Sequence, residues 1–142
     1  MKKVVYIDGV FDLFHRGHLE SLVKAKNALG DPDNTFLLVG IVSDAECAGY
    51  KRVPIINELD RVEIIKNLKM VNDIVFPCNL VIDMNFIKAH NIDMVVHGFC
   101  NDIDREKQRD FYAEINSQGY FKEIEYYSKI STTDIINRIK NS

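Results

Sequence analysis

Five short apolar runs, each followed by a stretch with helical spacing, restrict the folds open to this chain more than any other feature. Lys3–Ile7 (KVVYI) reads as a buried strand, and Leu19, Leu22, Val23 and Leu29 recur behind it at helical spacing. The turn cluster Gly30-Asp31-Pro32-Asp33-Asn34 ends that helix. Phe36–Val42 (FLLVGIV) is a second strand, and Asn57 caps a helix carrying Leu59, Val62, Ile65 and Leu68. Ile74–Phe76 is a third strand, stopped by Pro77, and a short helix covers Ile82–Ala89. Met94–His97 (MVVH) is a fourth strand, Phe111–Ile115 lies in a helix ended by Gly119, and Ile124–Tyr127 is a fifth strand. Ser131–Lys140 is a last helix with Ile135, Ile136 and Ile139 on its inner face. The runs are apolar throughout rather than alternating, as strands are when both faces are covered. The expectation is an α/β fold: an open, parallel, five-stranded sheet with helices on both faces, in one domain over residues 1–142.

Charge and cysteine usage remove several function classes. The net charge of −3 argues against nucleic acid as a partner, since that needs a basic face. No apolar run is long enough for an integral membrane segment, and Asp8 and Gly9 cut short the apolar start that follows Lys2 and Lys3. Cys47, Cys78 and Cys100 are widely spaced and odd in number, so they form neither a disulfide framework nor a zinc pattern. Reduced thiols fit a cytoplasmic protein. The charged run Asp102–Asp110 (DIDREKQRD) reads as a solvated loop and helix start, and Glu20 and Lys24 as an i,i+4 pair.

The stretch Phe11–Leu22 (FDLFHRGHLESL) carries the chemistry. In open parallel sheets, ligands sit beyond the carboxyl ends of the strands, so the loop from Gly9 to Gly17 enters the expected crevice. A helix beginning near Gly17 aims its free N–H groups there, which favours an anion. Gly17, without a Cβ, lets a phosphate approach the backbone. His15 before the helix and His18 in its first turn can both donate to the same anion, an arrangement suited to a transition state at phosphorus. A zinc site on His15, His18 and Asp12 lacks a clear further ligand. At the other end of the chain, Ser131-Thr132-Thr133-Asp134 reads as a capping-box variant, and a capped N-terminus can also hold phosphate. His90, following Ala89, reads as a C-terminal cap.

These residues carry a resemblance. H-x-G-H, here His15–His18, resembles the signature of the cytidylyltransferases within the nucleotidyltransferase superfamily, nearest to those acting on choline phosphate and ethanolamine phosphate. The likeness covers nearly the whole chain: Tyr6–His15 matches the opening strand and loop, Val39–Asp44 the second strand, Asn57-Glu58-Leu59-Asp60-Arg61 an N-E-x-x-R helix start, and Ile130–Ile136 an I-S-T-[ST]-D-I-I motif. It implies a Rossmann-like sheet and transfer of CMP from CTP to a phosphorylated amino alcohol, releasing pyrophosphate. By the resemblance, His15, His18 and Lys51 are catalytic. Gly9, Val10, Phe11 and Gly17 contact the nucleotide from the first loop, and Arg61, His97, Ser131, Thr132 and Thr133 from further along the chain. Asp12, Gly98 and Tyr112 form the alcohol-phosphate pocket. Mg²⁺ accompanies CTP, held by phosphate oxygens and water rather than by protein ligands. A homodimer is also implied.

The chain departs from the family in two places. The motif R-T-x-G before I-S-T is Tyr126-Tyr127-Ser128-Lys129 here, so its nucleotide-contacting arginine and its glycine are absent. Lys129 cannot copy a planar fork. Choline-phosphate relatives also carry a tryptophan after the third strand and H-D-D after the fourth. This chain has no tryptophan, Pro77-Cys78-Asn79-Leu80 in the first place and His97-Gly98-Phe99 in the second. With an incomplete aromatic cage for a quaternary ammonium, phosphoethanolamine is favoured over phosphocholine. A glycerol-3-phosphate cytidylyltransferase, another H-x-G-H nucleotidyltransferase, and a nucleotide-binding scaffold with little catalysis stay open as alternatives.

Overall fold

A computed structural model describes all residues from Met1 to Ser142. The elements run β1 (Lys3–Gly9), α1 (Arg16–Lys26), β2 (Thr35–Ile41), α2 (Asp44–Tyr50), α3 (Glu58–Lys66), β3 (Asp73–Val75), α4 (Met84–Ala89), β4 (Met94–His97), α5 (Asp102–Ser117), β5 (Phe121–Glu123) and α6 (Thr132–Lys140). All strand pairs are parallel, in the order β3-β2-β1-β4-β5. The chain therefore builds outward from β1 to β3, then returns to the opposite side of β1 to lay down β4. The order reverses between β1 and β4, and the carboxyl ends of those two strands open a crevice there.

Alternation along β1 feeds two cores. Val5 and Ile7 face one side of the sheet with Leu22 and Ala25 of α1 and Ile65 of α3. Tyr6 faces the other side with Ile87 of α4 and Tyr112 and Ile115 of α5. Both faces of the sheet are covered, which explains why its central strands read as continuous apolar runs. No helix is long and apolar enough to cross a membrane.

The structure differs from the sequence reading at several places. The fifth strand is Phe121–Glu123, before the apolar Ile124–Tyr127. It pairs on one side only, with Val95–His97, and its Lys122 and Glu123 are exposed, so an edge strand rather than a buried run stands there. Ile124 still packs into the core, and the residues after it leave the sheet to run over the crevice. Helix α2 is additional; its signal was Ser43, whose side chain accepts from the Glu46 N–H. The charged run Asp102–Asp110 is wholly helical, the first half of α5, capped by Asn101. Glu20 pairs with Arg16, while Lys24 donates to the Glu125 carbonyl. His90 does hold the C-cap position of α4.

Tyr6 shows how tightly the sheet is fitted. Its hydroxyl is buried without a hydrogen-bond partner, beside the Cys78 thiol, which is a poor one. A Cβ at Gly40 of β2 would stand 1.8 Å from that oxygen, so glycine is what admits the phenol. Tyr6→Phe should therefore be neutral or stabilising by up to about 1 kcal/mol, whereas Gly40→Ala should destabilise by more than about 2 kcal/mol. Urea unfolding of the two variants checks both signs.

Candidate active site

The first loop positions the site through strained backbone. Phe11 and Leu13 have φ of 56° and 50°, left-handed values that a non-glycine residue adopts only when its surroundings hold it there. Asp12 between them does much of the holding. Its carboxylate accepts from the backbone N–H groups of Ile55 (2.7 Å) and Ile56 (2.8 Å) and from Arg52 (3.2 Å). Burial opposes its ionisation, but the Ile56, Ile55 and Arg52 donors outweigh burial and keep its pKa below the ordinary value. Asp12 lines the crevice, yet its oxygens tie the loop after Lys51 to the loop after β1.

His15 and His18 cap α1 for each other. His15 Nδ1 accepts from the Gly17 N–H at 2.9 Å, and His18 Nδ1 accepts from the His15 N–H at 3.2 Å. This is a capping box with imidazoles in place of hydroxyl and carboxylate. Both Nδ1 atoms are acceptors, so the proton of each neutral ring sits on Nε2. The network agrees: His15 Nε2 lies 3.3 Å from the Thr132 hydroxyl, which itself donates to the Asp12 carbonyl. The rings stack at 3.8 Å. Gly17 makes this possible, because a Cβ there would meet His15 Cε1 at 2.7 Å.

Around this pair lies a cavity of about 640 Å³, lined from six parts of the chain. Gly9, Val10, Phe11, Asp12, Gly17, Lys51, His97, Gly98, Thr132 and Thr133 all border it with the two histidines, as does Ser131. Ser131 is the N-cap of α6, accepting from the Asp134 N–H at 3.1 Å, so α6 and α1 both begin at the cavity. Two helix N-termini converging on one space favour an anion there. Lys51, at the C-cap of α2, makes no ion pair and lies with Nζ 5.3 Å from the Tyr50 ring centre.

Two anticipated contacts stand elsewhere. Arg61 is wholly buried and does not border the cavity. Its guanidinium donates to the carbonyls of Ile56, Val10 and Val42 and to Asp44 Oδ1, leaving it no access to a triphosphate. Tyr112 is also buried, beneath the cavity rather than in its wall. Burial, then the neighbouring Asp8, keeps its phenol protonated, and it donates to Asp8 Oδ1 at 2.7 Å. His97 Nδ1, 2.9 Å from the same hydroxyl, is then the donor to it. Asp8, Cys47, Cys100, Asp104 and Gln108 border the cavity without having been read as site residues in the sequence, and Tyr126, from the motif that lacks the arginine, borders it too. The helical spacing of Asp104 and Gln108, i and i+4, was the available signal, hidden in a run that reads as a solvated face.

Burial first, then His15 and Lys51, depress the pKa of His18 from 6.5 to about 3, and burial lowers that of His15. Both rings are thus neutral N–H donors near pH 7. The unfolded chain binds a proton at His18 below pH 6.5 that the folded chain refuses until about 3. The stability contributed by neutral His18 is therefore complete above 6.5 and lost as pH falls through that window. The slope approaches about 1.4 kcal/mol per pH unit for one group. His18→Asn keeps the acceptor for the His15 N–H and cannot charge, so it should lose less stability than the parent between pH 7 and pH 4. Urea unfolding at both values checks this; equal losses would mean that His18 charges in the folded state.

Comparison with known proteins supplies the family. A family model described as cytidylyltransferase-like matches residues 6–138. Choline-phosphate cytidylyltransferase A of Rattus norvegicus is 36% identical over 137 residues, covering 95% of this chain and 36% of that protein. Ethanolamine-phosphate cytidylyltransferase of Mus musculus is 33% identical over 136 residues, 95% of this chain and 32% of its own length. The chain thus spans between 32% and 44% of the length of the curated relatives it matches. Among solved structures, the lipopolysaccharide core biosynthesis protein of Thermoplasma volcanium GSS1 superposes with a TM-score of 0.68 at 25% identity, over 90% of this chain and all of that one. The matched span runs from the first strand to the last helix and takes in His15, His18, Lys51 and the start of α6, and the chain belongs to the cytidylyltransferase-like family.

Proposed function

We propose that this chain is a CTP-dependent nucleotidyltransferase that moves CMP from CTP to a phosphorylated amino alcohol. The observation that carries this is the stacked pair of imidazoles, each fixed with Nε2–H outward of its cap, where two helix N-termini meet beside an unpaired lysine. A phosphate monoester is already an anion, so no enzyme nucleophile is required. One of its oxygens attacks the α-phosphorus in line; the bond to the bridging α–β oxygen breaks, and pyrophosphate leaves with that electron pair. His15 and His18 donate to the α-phosphate oxygens and the bridge, where charge grows. Lys51 neutralises phosphate charge from the segment that Asp12 anchors. Mg²⁺ accompanying the triphosphate would be held mainly by phosphate oxygens and water.

Phosphoethanolamine is the favoured acceptor. Support comes from the aromatic content of the cavity wall, where Phe11 and Tyr126 are the phenyl-bearing residues and the Tyr112 hydroxyl is engaged below with Asp8. A trimethylammonium relies on a cage of aromatic faces, whereas a primary ammonium needs acceptors.

His15→Asn and His18→Asn each preserve an acceptor for the cap and remove the Nε2 donor. Each should lower kcat by about 10²- to 10³-fold with circular dichroism unchanged. Near-normal turnover in either would remove that histidine from the chemistry. Pyrophosphate release with CTP and the two amino-alcohol phosphates in competition tests the substrate: kcat/KM should favour phosphoethanolamine. Preference for phosphocholine would sink the cage argument, turnover of glycerol 3-phosphate alone would move the chain to that branch, and CTP binding without turnover would make it a scaffold.

A further inference from the structure

We infer that Arg16 and Tyr127 form a latch that holds the segment Glu125–Ile130 down over the cavity, and that this latch must release for a ligand to enter or leave. The second half of that statement rests on the cavity being the nucleotide site proposed above. The segment joins β5 to α6 without forming strand or helix. None of its backbone N–H groups meets a backbone carbonyl. Its two ends are firm. Ile124 packs into the core and its N–H donates to the His97 carbonyl at 3.0 Å, while Thr132 at the other end donates to the Asp12 carbonyl. The residues between them supply Tyr126 and Ser128 to the cavity wall, so lifting this segment opens the wall.

What holds the segment comes from α1 and follows its length. Lys24 Nζ donates to the Glu125 carbonyl at 2.9 Å. The Arg16 guanidinium lies over the Tyr127 ring, 5.6 Å from its centre. The Ile130 carbonyl would stand 3.4 Å from a Cβ at Gly17. The segment thus runs back along α1 toward the start of that helix. The Lys24 bond is exposed, and water can replace it at little cost. The Arg16 contact is the specific one. Tyr127 is half-buried, and the guanidinium is kept over its ring because Nε pairs with Glu20 Oε1 at 3.2 Å, one turn along α1. A planar guanidinium stacks on an aromatic face in a way that an ammonium does not. Arg16 fills the variable position of H-x-G-H, and Tyr127 stands where R-T-x-G is expected, so the departure in one motif is met by the residue chosen in the other. Neither residue borders the cavity, so both act by positioning the segment rather than by touching a ligand. A cation–π contact at an exposed site is weak, and a segment without ladder bonds opens locally at low cost. A weak latch suits an exchange step, which a strong one would stall.

Native-state proteolysis and nucleotide release test the two halves separately, on the full chain. Trypsin needs an extended stretch of chain, so the initial rate of cleavage after Lys129, identified by mass, tracks the lifted population. In Arg16→Ala and in Tyr127→Leu it should rise about two- to fivefold, and in the double variant no further, because the two residues share one contact. Tyr127→Phe keeps the ring and should match the parent. A ribose-labelled fluorescent CTP, displaced by excess CTP in stopped flow, should leave the same variants faster by the same factor, with circular dichroism unchanged. Cleavage that stays at the parent rate in the single variants, or multiplies in the double one, overturns the latch. Faster cleavage with unchanged CTP release overturns its part in exchange. Failure of the unaltered chain to bind the labelled CTP overturns the nucleotide reading and the exchange role with it, while the cleavage rates still decide the latch.

Discussion

A guanidinium with no access to water holds the carboxyl edge of the sheet together. Arg61 sits in α3, and its donors reach the Val10 carbonyl after β1, the Val42 carbonyl after β2, the Ile56 carbonyl before α3 and the Asp44 carboxylate at the start of α2. An isolated buried cation would cost many kcal/mol, so this one exists because four acceptors from three segments converge on it. The converse also holds. Those carbonyls lie where strands give way to loops, with no ladder partner to satisfy them, and Arg61 lets the backbone there be dry and irregular at once. The first loop can keep Phe11 and Leu13 left-handed because it is fastened from beneath by Arg61 and from the side by Asp12.

The histidine pair depends on that fastening. Reciprocal capping needs the chain to enter α1 at a fixed angle, and Thr132 reaches across from α6 to the Asp12 carbonyl and His15 Nε2 to set it. Once each Nδ1 is committed to a backbone donor, no freedom is left over which nitrogen carries the proton. Structure and chemistry are therefore the same hydrogen bonds. The glycine between the histidines serves the ring of His15 first, because a side chain at position 17 would occupy the space that this ring fills.

Much of this was legible in the sequence, and what was not has a common cause. The parallel sheet followed from apolar runs that only two-sided burial explains, and His15, His18, Gly17 and Ser131 announced themselves through spacing at helix starts. The fifth strand was misplaced because an edge strand as short as Phe121–Glu123 has no buried face to enforce a pattern, while Ile124 and Tyr126 are apolar for other reasons, one for the core and one for the cavity wall. Arg61 looked like a ligand contact because sequence cannot distinguish an arginine facing a triphosphate from one facing carbonyls; both need the same fork. Asp104 and Gln108 were invisible because a charged helix reads as solvated on every face, and only the tertiary fold shows which turn borders a cavity.

The charge balance of the cavity also bears on how such a site works at phosphorus. Of the cations near it, Arg61 is buried elsewhere and Arg52, also on the wall, is paired with Asp12, which leaves Lys51 as the wall's unpaired positive charge. The imidazoles are neutral, with His18 held near 3. A site for a triphosphate and a phosphate monoester would then answer several negative charges with one lysine, two N–H dipoles and two helix N-termini. That is a sound design if the aim is selective stabilisation. A wall of full charges would bind the ground-state phosphates as strongly as the transition state, and binding both equally gains no rate. Fixed dipoles aimed at one phosphorus act over short range, so they discriminate where charge moves. The missing arginine near Tyr126 is consistent with this weighting: one fewer cation would loosen a ground-state hold on a nucleotide but leaves the imidazoles, and the caps that orient them, untouched.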